Sequence, residues 1–163
     1  MKRPDLIPAR ILTQVQAVQL TAQLRVTGKT IVFTNGVFDI LHPGHIFSLS
    51  QAAAEADFLI VGLNADASVK RLKGESRPVN NQEARALLLA SLLMVDAVVI
   101  FEEDTPLNLI SSLLPDVLVK GGDYTVEQIA GAKEVMANGG RVVINPILEG
   151  YSTSAIIAQI QGT

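Results

Sequence analysis

The chain alternates two kinds of apolar pattern. Short, nearly unbroken apolar runs occur at Thr30–Thr34, Phe58–Leu63, Asp96–Phe101, Asp116–Val119 and Arg141–Ile144. Runs of this length bounded by turn residues predict buried strands. Between them the apolar residues recur at helical spacing. Residues 11–26 place Ile11, Leu12, Val15, Val18, Leu20 and Leu24 on a helix stopped by Gly28. A second helix is predicted from about Gly44 to Ala56. A third runs through Ala84–Leu93, opened by Asn80 and Glu83 at capping-box spacing. Thr105-Pro106 opens a fourth through Leu114, with proline at its first position. Val126–Asn138 forms a fifth, ended by Gly139-Gly140, and Ser152 or Thr153 caps a last helix through Ile160. Strands apolar on both faces, alternating with helices, imply a parallel sheet covered on both sides. The expected fold is therefore α/β, a doubly wound, Rossmann-like sheet of five parallel strands. Without repeats or linkers, residues 1–163 are expected to form one domain, with an N-terminal helix (about 11–26) and a core (about 29–161).

Composition narrows the class. The hydrophobic fraction of 48% suits a closely packed α/β core, yet no window holds the ~18 uninterrupted apolar residues of a membrane span. Met1-Lys2-Arg3-Pro4-Asp5 is charged but no apolar stretch follows, so no secretory signal is expected. The absence of cysteine excludes disulfides, thiolate metal sites and a cysteine nucleophile. A cytoplasmic enzyme is the expectation. A net charge of -3 argues against general binding to nucleic acid or an anionic membrane. Residues 70–85, expected to form a loop, differ locally: Lys70, Arg71, Lys73, Arg77 and Arg85 stand against Glu75 and Glu83. That balance suits a small bound anion or, equally, a solvated charged loop.

Ligands of open parallel sheets bind beyond the carboxyl ends of the strands. Polar clusters follow the first, second and fourth predicted strands, at Thr34–His45, Asn64–Lys73 and Lys120–Tyr124, and Gly150–Ser154 leads into the last helix. The first turn, Asn35-Gly36-Val37-Phe38-Asp39, lacks G-x-G-x-x-G spacing. No G-x-x-x-x-G-K-[ST] loop, G-x-S-x-G elbow or H-E-x-x-H helix occurs. A phosphoaccepting receiver would need acidic residues where Thr34 and Asn35 stand.

What remains is His42-Pro43-Gly44-His45, containing the chain's two histidines, at a helix start. Free backbone N–H groups and the positive end of the helix dipole favour an anion there. Gly44 lets that anion approach the backbone, and His42 and His45 can face the same phosphate. One donor aimed at charge developing during transfer typically contributes ~3 kcal/mol. The plainer reading makes His42 a turn cap and His45 a packing residue.

The run Thr34, Gly36, Phe38, Asp39, His42, Gly44 and His45 fits T-x-G-x-F-D-x-x-H-x-G-H. In this it resembles the cytidylyltransferase-like branch of the nucleotidyltransferases. Asn64–Ser68, Lys70–Gly74 with Ser76–Val79, Phe101–Pro106 and Val119–Tyr124 make it most similar to heptose 1-phosphate adenylyltransferases, over about residues 10–161. In many bacteria that domain is fused behind a sugar kinase; with no kinase in this sequence, a stand-alone form is expected.

The resemblance implies that His42 and His45, with Lys73 and Arg85, carry catalysis. It implies nucleotide contacts from Thr34, Asn35, Gly36, Phe38, Gly44, His45, Gly121, Asp123, Tyr124, Ser152, Thr153 and Ser154. Asp39, Asn64 and Lys70 would bind the sugar phosphate. Ser152–Ser154 can also be an ordinary helix cap, and Arg71 and Arg77 suit the surface as well as a ligand. ATP would be a substrate with Mg²⁺ carried on its triphosphate rather than by a protein metal site. A homodimer without nucleic-acid or membrane partners is implied. Glycerol-phosphate cytidylyltransferases carry an arginine just before E-G-x-S-T; here Ile147-Leu148 precede Glu149-Gly150-Tyr151-Ser152-Thr153, which favours ATP over CTP. A cytidylyltransferase acting on glycerol 3-phosphate and a non-catalytic nucleotide-binding module remain the alternatives.

Overall fold

A computed structural model describes residues 4–162; the charged start Met1-Lys2-Arg3 lies outside the described residues. The elements in order are β1 (Ile11–Leu12), α1 (Gln14–Val26), β2 (Ile31–Gly36), α2 (Pro43–Ala53), β3 (Phe58–Asn64), α3 (Asp66–Lys73), α4 (Gln82–Ala90), β4 (Ala97–Phe101), α5 (Leu107–Leu113), β5 (Val117–Gly121), α6 (Ala132–Ala137), β6 (Arg141–Asn145) and α7 (Thr153–Gln161).

Six strands, not five, form the sheet among the described residues, in the order β1-β4-β3-β2-β5-β6 and all parallel. The additional strand is the start of the segment expected to be helical. Ile11 and Leu12 pair with Val98 and Val99 at the sheet edge. Thr13 then caps α1 by accepting from the Gln16 amide, completing a capping box that propensity alone did not locate. The basic segment 70–85 also differs from expectation, because its first part is helix α3. Asn81 rather than Asn80 caps α4, accepting from the Ala84 amide. The expected helix 126–138 is broken into a 3₁₀ turn and α6 at Gly131, whose φ is +85°. A left-handed residue cannot continue a right-handed helix.

Strand alternation distributes the core to both faces. Ile31, Phe33, Ile60, Val99 and Leu118 pack with Leu109, Ile110, Leu113 and Val135 from α5 and α6. Val32, Leu59, Val61, Val98, Val117 and Val119 pack with Leu49, Ala52, Ala86 and Leu89 from α2 and α4. This explains why the strands are apolar at nearly every position. The chain leaves β2 towards β3 and β4, then returns across β2 to β5. The topological switch therefore lies between β2 and β5, where such sheets bind ligands.

Candidate functional site

The loop between β2 and α2 turns sharply at Phe38, which holds a left-handed φ of +48°. Its ring folds back over Gly36, where a Cβ would lie 2.9 Å from the ring's Cε2. A non-glycine residue in this region costs of order 1–3 kcal/mol, so the surroundings must enforce it. They do so through buried polar groups. The Asp39 carboxylate is fully enclosed and accepts from the Val79 and Asn80 amides, each at 2.9 Å, and from Arg77 Nε at 2.8 Å. Burial raises its pKa, but the Asn80 and Val79 amides and Arg77 outweigh this and hold it below the usual range.

Beneath the loop, Arg85 is 1% exposed and fully engaged. It donates to the carbonyls of Val37 (2.7 Å), Asn64 (2.9 Å) and Asn80 (3.0 Å) and to Asp66 Oδ1 (2.7 Å). The ends of β2 and β3 and the start of α4 are thereby fastened to one guanidinium. The Arg85 donors and the Asp39 carboxylate, which the resemblance places at a phosphate and a sugar, are thus taken up by partners within the fold. Asn64 is also buried, donating from its amide to Ser68 Oγ at 3.0 Å, and Lys70 is exposed on α3 without lining a cavity. Of the residues expected to contact substrate phosphates at this edge, Asp39 and Lys73 line the cavity at His45, and Arg85, Asn64 and Lys70 do not.

Above the frame sit the histidines. His42 is the N-cap of α2 in extended conformation, Pro43 follows at the first helical position, and no side chain caps the helix. The His42 and His45 rings stack with centroids 3.8 Å apart and planes 20° apart. A Cβ on Gly44 would lie 2.9 Å from His42 Cε1, so only glycine lets the ring fold against this turn. Both buried Nδ1 atoms lack a partner among the described residues. Burial, and then the charge of His42, lowers the His45 pKa to about 4. Burial also lowers that of His42, with its own backbone opposing. The resting pair is therefore neutral at physiological pH.

His45 opens into a cavity of about 260 Å³ lined also by Phe38, Asp39, Lys73, Arg77, Thr153 and Ser154. Ser152 caps α7 by accepting from the Ala155 amide at 3.1 Å, so the nine-residue helix directs its N-terminus to this space. Cap and site coincide here. Tyr151, given no role from sequence, lies parallel to His42 with ring centroids 6.3 Å apart.

A second cavity, of about 180 Å³, lies on the other side of β2 between Asn35, Asp104, Thr105, Pro106, Lys120 and Tyr124. Lys120 was not singled out from sequence. The signal was available: it falls two residues after buried Leu118, in phase with the core face of β5. Asp123, expected at the nucleotide, is exposed and lines neither cavity. Thr34 is buried within β2, and Gly121 lies 3.6 Å from Ser48 Oγ by its would-be Cβ, where a methyl group would still fit. Among the described residues no three His, Asp or Glu side chains gather as a metal cage, and no helix is long and apolar enough to cross a membrane.

Comparisons with known proteins agree with this arrangement. The Cytidylyltransferase-like family model matches residues 33–159. Bifunctional protein HldE of Rhodospirillum rubrum is 53% identical over 154 residues, covering 94% of this chain and 31% of that protein. Bifunctional protein HldE of Hyphomonas neptunium is 61% identical over 135 residues, covering 83% of this chain and 28% of that protein. The chain thus spans under a third of the length of these curated relatives. The crystal structure of the lipopolysaccharide core biosynthesis protein from Thermoplasma volcanium GSS1 matches at 29% identity with a TM-score of 0.60, covering 77% of this chain and all of that one. The histidine turn at the end of β2, the parallel sheet and a family match from β2 into α7 converge: this chain belongs to the cytidylyltransferase-like family.

Proposed function

We propose that the protein is a nucleotidyltransferase that moves AMP from ATP to D-glycero-D-manno-heptose 1-phosphate, giving ADP-heptose and pyrophosphate for glycan synthesis of the lipopolysaccharide type. The observation that carries this is the stacked His42–His45 pair at the start of α2, opening beside Lys73, Arg77 and the α7 N-terminus. The substrate assignment is supported by the similarity to HldE and by Ile147-Leu148, which stand where a cytidylyltransferase would carry arginine.

In this reading a phosphate oxygen of the sugar attacks the α-phosphorus of ATP. The bond from that phosphorus to the bridging oxygen breaks, and pyrophosphate leaves with the electron pair. The attacking oxygen is already ionised at neutral pH, so no side-chain base is needed. Catalysis then rests on positioning and on donors directed at the developing charge. Neutral imidazoles avoid burying two like charges in the empty protein. An arriving triphosphate favours their protonated forms, because an adjacent anion stabilises the cation. Lys73, Arg77 and the N-terminus of α7 add positive potential on the same side. Among the described residues no three His, Asp or Glu side chains gather as a cage, and in this reading Mg²⁺ travels on the triphosphate. Homodimer formation and a cytoplasmic location belong to the same proposal and rest on the family resemblance.

A pyrophosphate-release assay with heptose 1-phosphate tests the reading. Turnover should be much faster with ATP than with CTP. Preference for CTP with glycerol 3-phosphate would favour the cytidylyltransferase alternative, and nucleotide binding without turnover the non-catalytic one.

A further inference from the structure

The proposed reaction needs two anionic sites, one for a triphosphate and one for a phosphomonoester. The residues first expected to bind the monoester are not available for it. Asp39 and Asn64 are buried with their polar atoms engaged, and Lys70 projects from the exposed side of α3. The cavity at the sheet's switch point has no occupant in that scheme.

This cavity is built by strand register. Phe33 of β2 pairs with Leu118 of β5. Two residues further along each strand stand Asn35 and Lys120, on the same face by the alternation of β-strands. Both line the cavity. Lys120 is largely withdrawn from water, yet no carboxylate or carbonyl among the described residues pairs with its ammonium. Its recorded contact is the Tyr124 ring, with Nζ 5.6 Å from the centroid. The one carboxylate lining the cavity, Asp104, is held by Arg71 Nε at 2.7 Å. The Asn35 amide and Thr105 hydroxyl also have no recorded protein partner. Desolvation lowers the Lys120 pKa, so an anion entering the cavity would stabilise its charged form.

Charge separates the two cavities. The histidine side offers Lys73, a helix N-terminus and Arg77, the last shared with Asp39, which suits the larger charge of a triphosphate. The Lys120 side offers one cation, an amide, a hydroxyl and an aromatic face, a combination suited to a phosphorylated sugar. Asn35, within β2, lines this cavity, and Val37, just past the end of β2, lines the histidine cavity.

We infer that the Lys120 cavity is the acceptor subsite, with Lys120 contacting the sugar phosphate and Asn35 and Thr105 flanking it. This rests on the adenylyltransferase reading, because it presumes a phosphomonoester acceptor. It makes Lys120 a substrate-binding residue and Tyr124 a wall of the acceptor site rather than of the base pocket.

Steady-state kinetics of Lys120→Met and Thr105→Ala, with each substrate varied in turn, test the inference. Loss of a charged hydrogen bond should raise KM for heptose 1-phosphate about 10- to 100-fold in Lys120→Met, with KM for ATP within about twofold of the parent. Thr105→Ala, at an exposed position, should show a smaller shift in the same direction. Lys120→Arg should recover part of the lost affinity if charge matters more than shape. Thermal melting of Lys120→Met should show no loss of stability, since Lys120 makes no ion pair among the described residues. A rise confined to KM for ATP, or unchanged KM for both substrates, would overturn the assignment. Failure of the parent protein to turn over heptose 1-phosphate would count against the proposed function itself, and titration with inorganic phosphate then still tests the cavity, since binding should weaken in Lys120→Met but not in Lys70→Ala.

Discussion

The polar groups below and above the β2–α2 loop carry similar chemistry and opposite states of satisfaction. Below it, Arg85, Asp66, Asp39 and Arg77 form a network in which Arg85 alone makes four hydrogen bonds to three separate segments. Above it, His42 and His45 are stacked and their buried Nδ1 atoms are unpartnered, and Lys73 faces a cavity. A buried charge is tolerable when saturated, and a saturated group has nothing left to offer a ligand. A buried group left unsatisfied costs stability, which makes it a candidate for function. Satisfaction, more than residue type, separates frame from site.

That contrast is open to three breaks. The largest effect is expected from Arg85→Ala, which leaves Asp66 and three loop carbonyls without their donor. It should cost about 3–5 kcal/mol of stability in denaturant unfolding, with activity lost because the loop is released. If Arg85→Ala kept its stability and lost only turnover, Arg85 would be a substrate ligand after all. His45→Ala should do the converse. Turnover should fall ~100-fold or more with little change in the melting temperature, as for loss of one preorganised donor. Near-normal turnover in that variant would remove His45 from the mechanism.

The smallest effect is a pH dependence that divides the two layers. The pKa of His45 is lowered from 6.5 to about 4, so between these values the unfolded chain binds more protons than the native one. Stability from this group is present above about pH 6.5 and is lost as pH falls towards 4. Asp39, also lowered, loses its contribution only below the ordinary carboxylate range near 3.8. Melting temperatures measured from pH 7 to 3 should therefore fall in two stages. His45→Asn should reduce the first, and Asp39→Asn should reduce the second, which Asp57, Glu103 and Glu127 share, while lowering stability at every pH. A His45 ring titrating near 6.5 by NMR would contradict the buried, neutral pair.

The pattern of apolar positions was enough for the parallel sheet and its helices, because strand burial on both faces leaves a strong signature. It missed β1, since two residues carry too little periodicity to be told from the helix they precede. It missed the break at Gly131, which depends on one left-handed residue. The histidine turn was legible because both histidines, Gly44 and a helix start fall within four consecutive positions.

The basic segment 70–85 was not legible in the same way. Five cations in sequence proximity looked alike, and the fold sorted them. Arg85 was drawn into the core, Arg77 against Asp39, Arg71 against Asp104, Lys73 to the cavity, and Lys70 was left on the surface. Lys120, remote in sequence, was brought beside Asn35 by the pairing of β2 with β5. The sequence by itself determined the layered fold and the histidine turn, because those rest on local periodicity and on neighbours along the chain. Only the tertiary structure decided which charges are consumed by the frame and which face a ligand, because that choice depends on partners 20 to 85 residues away, whose positions no local pattern encodes.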